Sequence, residues 1–329
     1  MKKLLLPLTM LVIFILLSCV WVYAQPSSTW KPSGKIRWIC PHGPGGGFDR
    51  WSRAGARNLE KYVGVPVVVD NVTGTGGVNA METLWRSKPD GQAVHLCELG
   101  SMIVAQHILK PRFKVNDLTF IGTVRRSPFI LWAAANSPLN SVKDLIEASK
   151  NKPIRGGTTG LSSGLWQSMA IFAKEAGINI LPVAGYKSGG DLFIALEAGD
   201  FDICFMPTDA ALDSLKRGSV KALAAAGSGH DPRLPGVETF VEAGYPKTAM
   251  LAGNTMTLVA PPNTPAEVAN FLEKAFLKMV TDPEYLKWLK TQGEEKQVPL
   301  NAEESKQYAQ KKEENAKVFV PVLEKYLKR

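Results

Sequence analysis

Four glycine-rich turns, each between an apolar strand-like run and a helix-like segment, constrain the fold of this chain most strongly. Turns 1 to 4 lie at residues 41–48, 71–77, 156–163 and 184–190. Strands that alternate in this way with helices of 10 to 15 residues favour open, mainly parallel sheets flanked by helices. In such sheets ligands bind beyond the carboxyl ends of the strands. The pattern therefore predicts an α/β protein with its site at these turns.

Each turn offers free backbone N–H groups and the positive end of a helix dipole, which together favour a negatively charged guest. Two turns lie in each half of the chain, so we expect an anion held between two domains. The alternative is four ordinary tight turns. Polar side chains with little local structural need favour a site, namely Thr75, Thr158, Ser162, Ser163, Tyr186, Lys187 and Ser188.

The N-terminal residues 1–24 are typical of an export signal. Lys2 and Lys3 precede an apolar stretch, and Val22-Tyr23-Ala24 supplies small residues before a cut ahead of Gln25. A lipoprotein acylated at Cys19 and an uncleaved membrane anchor are the two alternatives. In each case the folded part is expected outside the cytoplasm.

Length and composition predict an ordinary globular protein of two domains. The proline-containing breaks near residues 136 and 261 suggest lobe 1 at 35–135 and 255–329, and lobe 2 at 136–254. Two chain crossings would then form a hinge. The net charge of +9 is dispersed, and basic residues near the C-terminus alternate with glutamates, so no nucleic-acid partner is expected.

No catalytic centre or cofactor motif is evident. The four histidines lack metal-ligand spacing, and the glycine turns match neither a P-loop nor the dinucleotide fingerprint. We therefore expect no enzyme, metal or cofactor. His95, in a strand-like run, is expected to be structural, whereas His42 in turn 1 is a candidate ligand contact. Cys40, Cys97 and Cys204 are expected to be buried thiols, with a Cys40–Cys97 bridge left open.

Turn 1 carries the clearest resemblance. Pro44-Gly45-Gly46-Gly47-Phe48-Asp49 followed by Arg53 resembles the P-G-G-x-x-D-x-x-x-R signature of tripartite tricarboxylate transporter receptors, the TctC/Bug family of periplasmic solute-binding proteins. Collinear matches continue from Asn71 with Gly74–Gly77 to Ala260-Pro261 with Thr264-Pro265.

The resemblance implies a two-lobed, type II Venus-flytrap receptor, expected to be monomeric. It would deliver a small carboxylate to a membrane permease with one large and one small subunit. Backbone amides and small hydroxyls from both lobes would hold the carboxylate. The implied ligand-binding residues are His42, Gly45, Gly46, Gly47, Phe48, Asp49, Thr75, Gly76, Gly77, Thr158, Ser162, Ser163, Trp166, Tyr186, Lys187 and Ser188.

Two departures from the family pattern bear on the ligand. Phe48 replaces a common hydroxyl residue, and Trp166 stands where the family often has histidine. If both rings face the cleft, they would suit an acid with apolar or aromatic bulk; alternatively, Trp166 packs into the core. Asp49 is expected to cap and orient the first helix. A sensor of the same fold that signals to a membrane kinase is the alternative function, and an exported hydrolase is a more distant one.

Overall fold

Two five-stranded sheets organise the part of the chain described by a computed structural model, residues 30–161, 163–227, 229–294, 297–321 and 324. The predicted export signal at residues 1–24, with Cys19, and also Ser162 lie outside the described residues. The strands are β1 (Ile36–Cys40), β2 (Val67–Asn71), β3 (Ala93–Glu98), β4 (Thr119–Pro128), β5 (Ile130–Ala134), β6 (Ile154–Thr158), β7 (Ile180–Ala184), β8 (Ile203–Met206), β9 (Val220–Ala225) and β10 (Gly253–Ala260).

Helices cover both sheets. They are α1 (Gly47–Val63), α2 (Val78–Trp85), α3 (Leu99–Ile108), α4 (Val142–Ser149), α5 (Gly164–Ala176), α6 (Gly189–Ala198), α7 (Leu212–Lys216), α8 (Pro246–Leu251), α9 (Ala266–Val280), α10 (Pro283–Thr291) and α11 (Ala302–Lys317). Short 3₁₀ turns occupy Thr75–Gly77, Val115–Asp117 and Thr208–Ala211. No helix among the described residues is long and apolar enough to cross a membrane.

The first sheet has the strand order β2-β1-β3-β10-β4 and the second β7-β6-β8-β5-β9. In the first sheet only β10 runs against the other four strands, and in the second only β5 does. The mainly parallel arrangement is therefore confirmed. Each reversed strand follows a crossing of the chain from one sheet to the other.

Burial explains the strand positions. β3 is buried along its whole length, as expected for a central strand covered on both faces, whereas the edge strand β2 is half-exposed. His95 in β3 is fully buried, and its Nδ1 lies 2.9 Å from the carbonyl oxygen of Ile39. Burial lowers the pKa of this imidazole to about 4. His95 therefore ties two strands together as a neutral side chain.

We call the parts built on the first and second sheets lobe 1 and lobe 2. The strand β5 pairs in the second sheet, so sheet membership changes at Phe129 and not at residue 136. The limits of the two lobes stay a prediction. In the structure, the chain passes from one sheet to the other between β4 and β5, and again between α8 and β10. Cys40, Cys97 and Cys204 are all buried and unbridged, as expected for apolar use of the thiol.

Candidate ligand-binding site

Turns 1 and 2 lie side by side at the carboxyl edge of the first sheet. β1 and β2 are parallel neighbours, and their last residues, Cys40 and Asn71, are paired in register. A Cβ atom on Gly77 would stand 3.3 Å from the Cβ of Pro41, and Gly77 has a φ of 97°. Glycine is therefore required there both by its left-handed backbone and by the close approach of turn 1.

A buried carboxylate holds turn 1 in shape. Asp49 is 3% exposed, and it accepts hydrogen bonds from the Gly45 amide at 2.9 Å, Arg53 Nε at 2.9 Å and Asn71 Nδ2 at 2.8 Å. Asn71 also donates to the His42 carbonyl at 2.7 Å. Burial alone would raise the pKa of Asp49, but these donors outweigh it and lower the pKa below its ordinary value. The turn is thus braced from behind by an ionised side chain.

The prediction that Asp49 caps the first helix, α1, is wrong. Its N-cap is Gly46, which provides no side-chain hydrogen bond, and Asp49 lies in the first turn of the helix. Since Asp49 is engaged with Gly45, Arg53 and Asn71, it orients the turn as expected. The first amides of α1 have no partner within the helix, which is the arrangement that attracts an anion.

Turn 2 adds a strained backbone to this edge. Thr75 has a φ of 47°, and the glycines on either side, Gly74 and Gly76, also have positive φ. Thr75 is exposed, Gly76 is half-buried and Gly77 is buried. The helix that follows, α2, has Gly77 as its N-cap and again lacks a side-chain cap.

Turns 3 and 4 form a second pair at the carboxyl edge of the other sheet. The last residues of β6 and β7, Thr158 and Ala184, are paired in register. In turn 3, Ser163 is the N-cap of α5, and its hydroxyl accepts from the Trp166 amide at 3.4 Å and donates to the Gly160 carbonyl at 2.7 Å. Thr158 Oγ1 lies 2.9 Å from Ser163 Oγ. The hydroxyls of Thr158 and Ser163, two of the three predicted in this turn, are thus buried and used within the turn.

Turn 4 repeats this arrangement. Ser188 is the N-cap of α6 and accepts from the Asp191 amide at 3.2 Å. The Tyr186 ring packs edge-on against Phe201 with 5.5 Å between centroids, while Lys187 is exposed. Tyr186 therefore fastens the turn to its own lobe, and Lys187 is the cation that turn 4 presents to solvent.

The two aromatic departures from the family pattern take different positions. Trp166 is fully buried in the apolar core, so none of its ring surface is exposed. Phe48 is 9% exposed and contacts the His42 ring with 4.9 Å between centroids. Burial lowers the pKa of His42, so its imidazole is neutral at pH 7. Only Phe48 of the pair remains a candidate for apolar ligand contact.

The two turn-bearing edges meet next to turn 3. Glu98, the last residue of β3, has a carboxylate oxygen 3.2 Å from the place of a Cβ on Gly164, the first residue of α5. β3 is the sheet neighbour of β1, so this contact brings the start of α5 against the edge that carries turn 1.

A buried ion-pair cluster joins the lobes at the β4 end of the same edge. Arg125 on β4 is 2% exposed, and its Nη2 lies 2.6 Å from both Asp209 in lobe 2 and Glu294 in lobe 1. Arg233 of lobe 2 contacts Glu294 at 3.6 Å and Asp231 at 2.7 Å. Burial would lower the pKa of Arg125, but the two carboxylates raise it instead. We call these five residues the Arg125 cluster.

Sequence reasoning missed several of these residues. Asn71 and Arg53 were recognised only as matches to the family pattern, although Arg53 follows Asp49 at the i, i+4 spacing of a helical ion pair. Glu98 is the charged last residue of an apolar strand, and a charge at that position could have marked it as a candidate site residue. The Arg125 cluster gave none, since its members are far apart in sequence. Among the described residues no group of His, Cys, Asp and Glu could hold a metal ion.

Comparison with known proteins decides the family. Residues 52–325 match the model of the tripartite tricarboxylate transporter family receptor. The chain belongs to this family. The receptor is 30% identical over 272 residues to the protein BugT of Bordetella pertussis, covering 80% of this chain and 81% of that protein. The family is one of solute-binding receptors rather than enzymes.

Solved structures show the same fold. The periplasmic binding protein BugD aligns with a TM-score of 0.76 at 24% identity, over 88% of this chain and 98% of its own. R. palustris Rpa4515, solved with adipate, aligns with a TM-score of 0.77 at 22% identity, over 89% and 98%. The two-lobed type II periplasmic fold is therefore confirmed. Of these relatives, BugD is named a periplasmic binding protein.

Proposed function

We propose that this receptor captures a small organic acid by its carboxylate and passes it to the permease of a tripartite transporter, acting as a monomer. The observation that carries the proposal is the open start of α1. Turn 1 is braced from behind by Asp49, and no side chain caps the helix, so its first amides are available to an anion. The adipate bound to the R. palustris relative supports the same ligand class.

In this proposal the acid first meets turns 1 and 2 in lobe 1. The backbone amides near Gly46, Gly47 and Phe48 donate charge-assisted hydrogen bonds to the carboxylate. Closure then brings turns 3 and 4, with Ser163 and Gly164 at the start of α5, onto the ligand. Closure is favoured only by the interactions that the ligand gains in the closed state.

Lys187 and Phe48 would then contribute in different ways. Lys187 is exposed in turn 4 and adds a positive charge near the mouth of the cleft. Phe48 presents an apolar ring edge beside the carboxylate site. Neither residue fixes the identity of the acid.

A thermal-shift screen tests carboxylate capture directly. The protein is heated with mono-, di- and tricarboxylates, including aromatic acids, and with their uncharged amides. Because a ligand that binds the native state raises apparent stability, we expect some acids but not their amides to raise the melting temperature. Equal stabilisation by amides contradicts the proposal. Mass spectrometry of the bound acid after long incubation should show it unchanged, and product formation would indicate an enzyme.

Delivery to a permease requires a second test. The partners proposed are one large and one small membrane subunit, and the receptor is either free or lipid-anchored through Cys19. Uptake of the stabilising acid by cells should require both the receptor and the permease. Uptake that persists without the receptor, together with a loss of ligand-dependent gene expression, would favour the sensor alternative.

A further inference from the structure

The Arg125 cluster consists of two halves, one in each lobe, and each half contains its own counter-charge. In lobe 1, Arg125 Nη2 lies 2.6 Å from the carboxylate of Glu294. In lobe 2, Arg233 Nε and Nη2 donate to the two carboxylate oxygens of Asp231 at 2.9 and 2.7 Å. Asp231 also accepts from the Thr208 hydroxyl at 2.6 Å. Separation of the lobes would therefore leave both arginines with a carboxylate partner.

Asp209 depends on the other lobe for its partner. Its Oδ1 accepts from Arg125 Nη2 at 2.6 Å, and among the residues that the structure describes it has no second hydrogen-bond partner. Its side chain is 7% exposed. A buried carboxylate without a counter-charge is costly, whereas the same carboxylate in water is not. Asp209 can therefore stay charged throughout if it pairs with Arg125 when the lobes are together and is hydrated when they are apart.

Arg125 is also held against the helix that carries turn 1. Its guanidinium carbon lies 4.9 Å from the centre of the Trp51 ring, which is a cation–π contact. Trp51 is a buried residue of α1, one helical turn after Gly47, and its ring packs edge-on against Trp288 with 5.0 Å between centroids. The position of Arg125 is therefore tied to the helix whose first amides are proposed to bind the acid.

Asp209 is held against turn 4 of the other lobe. It lies in the 3₁₀ turn Thr208–Ala211, which follows β8. The Cβ of its neighbour Ala210 lies 3.8 Å from the place of a Cβ on Gly189, the first residue of α6. The ion pair between Arg125 and Asp209 therefore joins two segments, one packed against the helix of turn 1 and the other packed against turn 4.

We propose that Arg125 and Asp209 form a latch, which closes when lobe 2 closes on lobe 1 and slows the release of the bound acid. The part that concerns the acid rests on the proposed function, whereas the opening and closing of the latch does not. Asp209 is a positioning residue, because its carboxylate acts through Arg125. Loss of a charge-assisted hydrogen bond of this kind changes an equilibrium by about tenfold to a hundredfold.

Release kinetics test the latch. An acid that raises the melting temperature is bound to the receptor and to Asp209→Asn, and stopped-flow tryptophan fluorescence gives both rate constants. Asparagine keeps the size of the side chain, and Arg125 keeps Glu294, so the fold should be retained. We expect the dissociation rate of Asp209→Asn to be at least about fivefold higher, with no decrease in the association rate. An unchanged dissociation rate overturns the inference, and so does a loss of affinity that lies in the association rate alone.

Two variants serve as controls. Asp213→Asn removes an exposed carboxylate of α7, close to Asp209 in sequence, and should keep the dissociation rate within about twofold of the unmodified receptor. Asp209→Glu retains the charge and should restore the dissociation rate to within about threefold. Release from either control as fast as from Asp209→Asn overturns the inference, because the effect would then not depend on this ion pair. If Asp209→Asn shows altered circular dichroism, Asp209→Ser takes its place with the same expected result.

The distance between the lobes tests the latch without any acid. Spin labels are placed at Arg57→Cys on α1 and Ile194→Cys on α6, both exposed positions, in a protein that lacks the predicted export signal. The cysteines that the structure describes are buried, so these two positions should react selectively. Double electron–electron resonance should show a larger share of the longer distance once Asp209→Asn is added. Identical distance distributions overturn the inference, whether or not an acid binds. A shift toward the longer distance in a receptor that binds no acid supports the latch and contradicts the proposed function.

Discussion

The turns of lobe 1 and lobe 2 look alike in sequence, but they treat their helix starts differently. In lobe 1, the N-caps of α1 and α2 are Gly46 and Gly77, and neither gives a side-chain hydrogen bond. In lobe 2, Ser163 and Ser188 cap α5 and α6 with their hydroxyls. The first helix amides of lobe 1 are therefore free of side-chain partners, whereas in lobe 2 one of these amides in each helix already donates to a serine hydroxyl.

This difference suggests a division of labour. An anion gains most from amides that nothing else satisfies, so lobe 1 is the first to bind. Lobe 2 has less free capacity and contributes mainly by docking onto lobe 1 around the bound ligand. In the structure the ion pair between Arg125 and Asp209 is one of the contacts that join the lobes.

Removal of Arg125 should have the largest effect. Arg125→Met leaves the buried carboxylate of Asp209 without its ion-pair partner. It also removes one of the two arginines that contact Glu294, leaving only Arg233. Breaking a buried ion pair from one side costs about 3–5 kcal/mol of unfolding free energy. Urea unfolding measures that loss, and calorimetry with a stabilising acid should show weaker binding because lobe 2 docks less well.

Arg126→Met is the matched control for Arg125→Met. Arg126 is the next residue on β4, but it is exposed and contacts the Val298 carbonyl and the Tyr308 ring. We expect it to change stability by about 0.5 kcal/mol or less. Similar losses in the two variants would mean that the Arg125 cluster does not hold the lobes together.

The brace behind turn 1 should have the next largest effect. Asp49→Asn removes the charge that Gly45, Arg53 and Asn71 share, at a cost of about 1–3 kcal/mol. It should also abolish binding of the acid, because the amides of turn 1 lose their fixed direction. Asp191→Asn changes the first turn of α6, where the side chain is exposed, and should leave binding unchanged. Calorimetry on both variants compares the two lobes directly.

Asp49 also predicts a pH dependence. Its pKa in the folded protein lies below the ordinary value of 3.8, so its stabilising contribution is complete above 3.8 and is lost as the pH falls through the folded pKa. In urea unfolding between about pH 5 and about pH 2.5, Asp49→Asn should flatten this acid-side loss. A curve parallel to that of the unmodified protein would mean that the brace is not ionised.

The sequence predicted the alternation of strands and helices well, since four of the strands are short runs that lead directly into glycine-rich turns. The sequence pattern predicted neither the short α8 nor α3, whose buried residues lie on all sides of the helix. It also missed α10, although Asp282-Pro283-Glu284 is a usual helix start. The sequence also did not show which of the glycine turns precede helices that lack a side-chain cap. Asp49 looked like a cap, and only the fold brings Asn71 and the Gly45 amide to it.

The serine cap in turn 3 should have a smaller effect. Ser163→Ala removes the hydroxyl that caps α5, at a cost of about 1 kcal/mol. If lobe 2 contributes mainly by docking, affinity should fall only about two- to fivefold. Ser141→Ala removes the equivalent cap of α4, away from the turns, and should cost similar stability with unchanged affinity. A loss of binding in Ser163→Ala as complete as in Asp49→Asn would contradict the division of labour.

The smallest effect is expected at His42. Because burial lowers the pKa of its imidazole below the ordinary 6.5, His42 is mainly neutral between about pH 7 and about pH 8 and supplies little charge to a carboxylate there. Calorimetry across that range should give a constant affinity, and His42→Gln should stay within about twofold of the unmodified protein. An affinity that rises as the pH falls, and no longer does so in His42→Gln, would show an imidazolium in contact with the acid. Lobe 1 would then bind with a side-chain charge, and the contrast between open and capped helix starts would lose its explanatory role.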